Sequence, residues 1–350
     1  MKRKLNIAIV APIEETVPPK KYGGTELVVY NLCEGLVERG HRVALLASGG
    51  SKTRARLIAL TKKPLRNDAL GQDEKTREIV KLQKIAEAIE ILRKEKFDIV
   101  HNHIGWRLLL FSNLIRHTMV TTLHGPLNIG YQNYVYNAFR ASPYISISNS
   151  QRTPNAKLNF AATVYNGIDV KKFSYNPTPK NYVAFLGRMS PEKGPKEAIL
   201  AAKKARIPLI MAAKIDVVDR KYFAKEIRPL IDGRRVKFIG EIGHKEKNNF
   251  LKNALALFAL IQWSEPFGLF VIEAMACGTP VIATPKGALP ELIINNTTGF
   301  FVNNPHEAAK KLLAISRISR NKCREHVEKN FSLETMAENY EKAYYTILGV

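Results

Sequence analysis

The stretch QWSEPFGLFVIEAMACGTPVIATP (262–285) carries two glutamates, Glu265 and Glu273, in a segment that opens like a loop, turns apolar like a helix and ends like a strand. Glu265 precedes Pro266, and a residue before proline is pushed out of helical geometry. Glu265 therefore belongs to the loop, and the helix starts around Pro266 to Gly268 and stops at Gly278. Glu273 then lies roughly 7.5 Å along the axis. Helical side chains tilt back toward the N-terminus, so Glu273 can reach the space that Glu265 faces. The free N–H groups of Gly268, Leu269 and Phe270 form a helix-start anion site between them. One place thus offers donors for a phosphate and carboxylates for hydroxyl groups, the two features of a sugar joined to a nucleotide diphosphate. On spacing alone, one capping and one solvated glutamate is the simpler account.

Three further groups could do chemistry. FLGRMSPEKGP (185–195) sets Arg188 and Lys193 five residues apart over a turn, a planar fork and a point charge able to face one diphosphate. KKYGGTELVV (20–29) places Gly23 and Gly24 directly before a helix, where backbone can approach a ligand closely. TTLHGP ends a strand with His124, and DIVHNH ends another with His101 and His103. Read blandly, these are a solvated lysine, a flexible loop and structural histidines. No D-x-D or other carboxylate pair is spaced to hold a divalent cation on a diphosphate, so no metal and no cofactor is expected. G-x-G-x-x-G is also absent, which argues against a nicotinamide dehydrogenase.

The elements that must position these groups alternate along the chain. LNIAIVA (5–11), RVALLAS (42–48), FDIVHNH (97–103), HTMVTTLHG (117–125), YISIS (144–148) and ATVYNGID (162–169) read as strands, with helices at 26–40 and about 73–96. DVKKFSYNPTPKN (169–181) is a polar, proline-bearing linker. Strands then restart with YVAFLGR (182–188), IPLIMAA (207–213), RVKFIGE (235–241) and ALALFALI (254–261), and helices fill the chain from about 305. Short continuous apolar strands alternating with helices imply an α/β fold, two doubly wound Rossmann-like domains facing each other across a cleft. Ligands bind beyond the carboxyl ends of such strands. The expected boundaries are 1–172, 173–334 and a C-terminal helix, 335–350, returning to the first domain.

The string SEPFGLFVIEAMACGTPVIAT resembles the pattern E-P-F-G-L-x-x-x-E-A-M-A-C-G-T-P-V-I of the retaining glycosyltransferases of family 4, which have the GT-B fold. The resemblance covers nearly the whole chain. It implies that Glu273 binds the ribose hydroxyls, that Glu265 contacts donor-sugar hydroxyls, and that the backbone of Phe267, Gly268 and Leu269 lies close to sugar and phosphates. It also implies that Arg188 and Lys193, in an element similar to G-R-x-x-x-x-K-G, hold the leaving diphosphate. Gly23 and Gly24 would sit in a mobile loop over donor and acceptor, and His124 beside the donor sugar. Asn166, Gly167 and Glu291 fall in segments that also match. The implied activity is metal-independent, front-face transfer of a sugar, UDP-linked in many relatives, to a glycan, lipid-linked or small-molecule acceptor. Another GT-B chemistry, an epimerase or phosphorylase, remains the alternative.

The charge bounds the partners. The 350 residues hold 54 Lys+Arg against 31 Asp+Glu, a net +23 that favours anionic partners. No recognition motif for nucleic acid accompanies it, so a nucleic-acid partner is not expected. SKTRARLIALTKKPLR (51–66) has six basic residues and no acidic one, and RLLLFSNLIRH (107–117) and YQNYVYNAFR (131–140) add apolar and aromatic side chains. Together they suggest an anionic membrane surface as a partner of the first domain; a solvated loop and two core helices is the alternative. Three widely spaced cysteines and no apolar run of membrane-spanning length suggest a cytoplasmic protein, peripheral at the inner face of the membrane.

Overall fold

The computed structural model describes residues 3–21 and 23–350, which form two compact units. The first comprises residues up to Gly167 together with Leu333–Val350, and the second spans Ile168–Ser332. These limits fall a few residues before the positions expected from the sequence.

In the first unit the order is β1 (Asn6–Val10), α1 (Gly24–Glu38), β2 (Arg42–Ser48), β3 (Arg56–Thr61), α2 (Glu74–Lys94), β4 (Ile99–Asn102), α3 (Trp106–Leu109), β5 (Thr118–Leu123), α4 (Gly130–Ala138), β6 (Tyr144–Ser146), α5 (Asn149–Arg152) and β7 (Phe160–Thr163). The strands form one parallel sheet in the order β3-β2-β1-β4-β5-β6-β7. β1 and β4 are buried nearly throughout, which is why they read as continuous apolar runs. The chain winds outward from β1 to β3 and then crosses to β4, so the switch point lies between β1 and β4.

The second unit repeats the plan: β8 (Val183–Arg188), α6 (Pro195–Ala205), β9 (Leu209–Lys214), the short turn α7 (Arg220–Tyr222), β10 (Val236–Gly240), α8 (His244–Lys252), β11 (Ala256–Ala259), α9 (Leu269–Ala276), β12 (Val281–Ala283), α10 (Leu289–Leu292), β13 (Gly299–Phe301), α11 (Pro305–Leu313) and α12 (Arg320–Asn330). Its parallel sheet runs β10-β9-β8-β11-β12-β13, with the switch point between β8 and β11.

Two strands differ from the expectation. The basic stretch 51–66 is not a solvated loop: Arg56–Thr61 pairs with β2 as an edge strand, its apolar residues only partly buried. Four of its six bases are ion-paired, Arg54 to Glu34 and Glu38, Arg56 to Glu95, Lys63 to Asp68 and Arg66 to Glu15. Edge strands carry such charges against unwanted pairing, and here the charges hid the strand. Gly299–Phe301 forms the three-residue β13 at the other unit's edge, too short to show a period.

The last helix, α13 (Leu333–Leu348), packs on α1 within the first unit. Contact is close at Gly35, where an added Cβ would lie 2.6 Å from Ala337 Cβ and 2.9 Å from Leu333 Cδ2. Helix α13 also presents Tyr340 and Tyr344, both fully buried, to three histidines at strand ends. His101 Nδ1 lies 2.6 Å from the Tyr344 hydroxyl and its Nε2 2.7 Å from Thr122 Oγ1. His103 Nε2 meets His101 Nδ1 at 3.1 Å, and His103 Nδ1 meets His124 Nε2 at 2.8 Å. Burial holds His101 and His103 well below the usual imidazole range and lowers His124 to about 4, so all three are neutral at neutral pH.

Two expectations follow for stability. Gly35→Leu overfills the α1–α13 contact and should cost about 1–3 kcal/mol, although leucine improves helix propensity by nearly 1 kcal/mol. Thermal unfolding reads it, and an unchanged Tm would mean that α13 moves away without loss. The histidines set a pH dependence. Below the ordinary imidazole value of 6.5 the unfolded chain protonates them while the folded chain does not. Stability therefore falls as the pH drops from about 6.5 toward each folded value, by up to about 1.4 kcal/mol per pH unit per group. Glu26, raised to about 7 by burial, acts in the opposite sense, one group against three. Urea titrations should show the decline, and a shallower one for His103→Asn; a flat profile from pH 6.5 to 4 would mean the imidazoles are not held neutral.

Candidate active site

Arg188 is the last residue of β8 and Lys193 ends the turn that follows it. Gly194, at φ 68°, then starts α6; a Cβ there would lie 1.9 Å from the Leu260 carbonyl oxygen, so only glycine lets this turn reach the end of β11. The close approach sets Lys193 beside the loop that carries Glu265, and Lys193 Nζ lies 2.5 Å from Glu265 Oε2. The Trp263 indole N–H donates to the same oxygen at 3.0 Å. Lys193 also sits 5.3 Å from the Trp263 ring centroid and 5.5 Å from that of Phe270, a semi-apolar lining for its charge.

A second glycine fixes Glu265 from behind. Gly287, φ 59°, lies where a Cβ would come within 2.2 Å of the Glu265 nitrogen, and Ala288 N–H donates to the Glu265 carbonyl at 2.9 Å. Helix α9 begins at Leu269 after Gly268, whose φ of 102° turns the chain into it. Phe267 is buried against Phe331, with ring centroids 6.2 Å apart, so its side chain anchors the loop while its backbone stays with the helix start. Glu273, the fifth residue of α9, is buried and ion-paired to Lys247 of α8.

The structure thus brings Lys193 to Glu265 but gives Arg188 and Glu273 other partners. Arg188 is ion-paired to Glu192 and lies 3.9 Å from Asp216, which in turn binds Lys214 at 2.5 Å. The Arg188 Nε–H is buried with no hydrogen-bond partner among the described residues, which makes it a costly donor. Sequence reading missed Lys214, Asp216, Trp263 and Lys247. None stands in a motif, and only the ends of β9 and α8 relative to β8 and α9 give them meaning.

In the first unit Gly23 precedes α1 and accepts from the Leu27 N–H through its carbonyl at 3.0 Å; Gly24 is the first helical residue. A Cβ on Gly23 would lie 2.7 Å from Pro19 Cβ, so this loop has no space for a side chain. Tyr22 lies outside the described residues. At the β1–β4 switch point a cavity of about 270 Å³ is lined by Val10, His103, Trp106, His124 and Tyr136 among others, with Lys81, Lys84 and Arg107 bringing charge. Lys81 and Arg107 share Glu78, Lys81 also pairs with Glu14, and the Arg107 guanidinium lies 4.5 Å over Trp106.

Comparison with known proteins agrees with this layout. The family model for glycosyl transferases group 1 matches residues 168–331, and that for glycosyltransferase family 4 matches residues 22–172. A glycosyltransferase of Methanocaldococcus jannaschii is 25% identical over 349 residues, covering 86% of this chain and 87% of its own. AviGT4, a glycosyltransferase involved in avilamycin A biosynthesis, superposes with a TM-score of 0.75 at 25% identity, covering 99% of this chain and 98% of its own. HepE of Anabaena, solved in complex with UDP-glucose, has the same fold at 19% identity, with a TM-score of 0.73 over 97% of this chain and 98% of its own. The chain belongs to the group 1, family 4 glycosyltransferases of GT-B fold.

Proposed function

We propose that the protein is a retaining glycosyltransferase that draws on a nucleotide-diphosphate sugar, with UDP as the nucleotide. The observation that carries this reading is the Lys193–Glu265 pair beside the buried, unpartnered Arg188 Nε–H. A diphosphate oxygen satisfies Arg188 and takes over the charge of Lys193, which frees Glu265 to accept hydrogen bonds from donor-sugar hydroxyls. Glu273, released from Lys247, accepts the ribose hydroxyls, and the N–H groups after Phe267 and Gly268, at Leu269, face the phosphates. HepE, bound to UDP-glucose, supports the choice of donor class.

In the reaction the bond from the sugar anomeric carbon to the diphosphate breaks and the acceptor hydroxyl bonds to the same face. Its proton passes to the departing phosphate oxygen. Arg188 and Lys193 stabilise charge that grows as the diphosphate leaves, so their effect falls on the transition state. This supplies the positive charge without a metal. Gly23 and Gly24 admit backbone close to substrate, and His124 offers a hydrogen bond in the first-unit cavity, where the acceptor binds. The acceptor is lipid-linked: Leu110, Leu114, Tyr131 and Tyr134 are exposed on and after α3 and on α4, with Trp106 packed against Tyr131 and lining the cavity. That apolar surface on a chain of charge +23 suits an anionic bilayer. Among the described residues no helix is long and apolar enough to cross one.

Calorimetry with UDP tests the donor site. Glu273→Ala should weaken binding by about 1.5–3 kcal/mol, the scale of hydrogen bonds to a charged group, and EDTA should leave wild-type binding unchanged. Equal affinity in the folded variant, or loss of wild-type binding in EDTA, would reject the site as drawn. Co-sedimentation tests the surface. The protein should partition to phosphatidylglycerol vesicles at low salt, and Leu114→Ser with Tyr134→Ser should reduce it; equal partitioning to neutral vesicles would rule the surface out.

A further inference from the structure

His124 reaches the cavity with one nitrogen already used. Its Nε2 is bound to His103, and among the described residues it has no other hydrogen bond, so Nδ1 is the atom left for a ligand. Whether Nδ1 carries a proton or a lone pair is decided elsewhere. A neutral imidazole has one donor and one acceptor nitrogen, so each link in a histidine chain passes its polarity to the next.

The chain has a defined origin. Burial keeps the Tyr344 phenol protonated, and among the described residues its one hydrogen-bond partner is His101 Nδ1 at 2.6 Å. Were that nitrogen the donor, the buried tyrosine O–H would have no acceptor, which is the costly arrangement. Tyr344 therefore donates, and His101 carries its proton on Nε2, donating to Thr122 Oγ1 at 2.7 Å. His101 Nδ1, now an acceptor, also receives His103 Nε2–H at 3.1 Å. His103 Nδ1 is then bare and accepts from His124 Nε2–H at 2.8 Å. The cavity meets a lone pair.

We infer that Tyr344, on the C-terminal helix and remote from the cavity, is a positioning residue that locks His124 in the Nε2–H tautomer, so that its Nδ1 selects a substrate hydroxyl as donor. The functional consequence rests on the reading that His124 faces substrate. Without the Tyr344 O–H the opposite polarity is fully satisfied: Thr122 donates to His101 Nε2, His101 Nδ1–H to His103, His103 Nδ1–H to His124, and His124 presents Nδ1–H to the cavity. One hydroxyl thus chooses between two complete hydrogen-bond sets.

Imidazole ¹⁵N spectra of the full chain with labelled histidine read the tautomers directly, with His124 assigned by its loss in His124→Gln. The wild type should show His101, His103 and His124 all protonated at Nε2, and Tyr344→Phe should move His124 toward Nδ1–H. A wild-type His124 protonated at Nδ1 overturns the inference without any Tyr344 variant. So does an unchanged His124 tautomer in folded Tyr344→Phe, since packing alone would leave it unmoved. These spectra need no nucleotide, so a failure of the donor site in calorimetry and a failure of this inference are separate results.

Discussion

The donor side of this protein depends on one steric constraint, the approach of Gly194 to the Leu260 carbonyl at a distance that excludes any side chain. The turn after β8 must lie on the end of β11 for Lys193 to meet Glu265, and that meeting organises Trp263, Phe270 and the start of α9 around one charge. Gly287 imposes a matching constraint from the other side, against the backbone of Glu265 itself. Neither glycine touches a substrate in this account. Both set how closely two parallel strands' exit loops can approach, and the chemistry inherits its geometry from that.

The ion pairs at the site have a common logic. Lys193 with Glu265, Lys247 with Glu273 and Arg188 with Glu192 each join a cation to a carboxylate in a partly or largely buried place. An unpaired charge there is expensive, whereas a pair that exchanges one partner for another loses little. A ligand with both anionic and hydroxyl groups can take the cation and the carboxylate of one pair at once. The site is therefore neutral in its own right within a chain of net charge +23.

Much of the fold was legible because most central strands are buried on both faces and read as unbroken apolar runs, β1, β4, β8 and β11 among them. The edge strand β3 was hidden by arginines and lysines that belong to ion pairs, and β13 by its brevity. The string around Glu265 and Glu273 displayed the donor-side residues because helix start, glycine and carboxylate are contiguous there. Lys247, Asp216 and Trp263 were not legible, since their meaning lies in which strand end stands beside which. The histidines were visible as strand ends, but their chain to Tyr344 spans more than two hundred residues of sequence. The i, i+4 pair Tyr340 and Tyr344 was the one local sign of it, an aromatic stripe on a helix.

The first unit is closed by α13, which is encoded after the whole of the second unit. During synthesis the second unit emerges complete while the first still lacks the helix that covers α1 and the buried histidines. Domains fold as units as they leave the ribosome. In this chain the earlier sequence therefore finishes later: an open first unit, with its apolar α1 face exposed, waits for Leu333–Leu348, and it is the second, inserted unit that reaches its final state first.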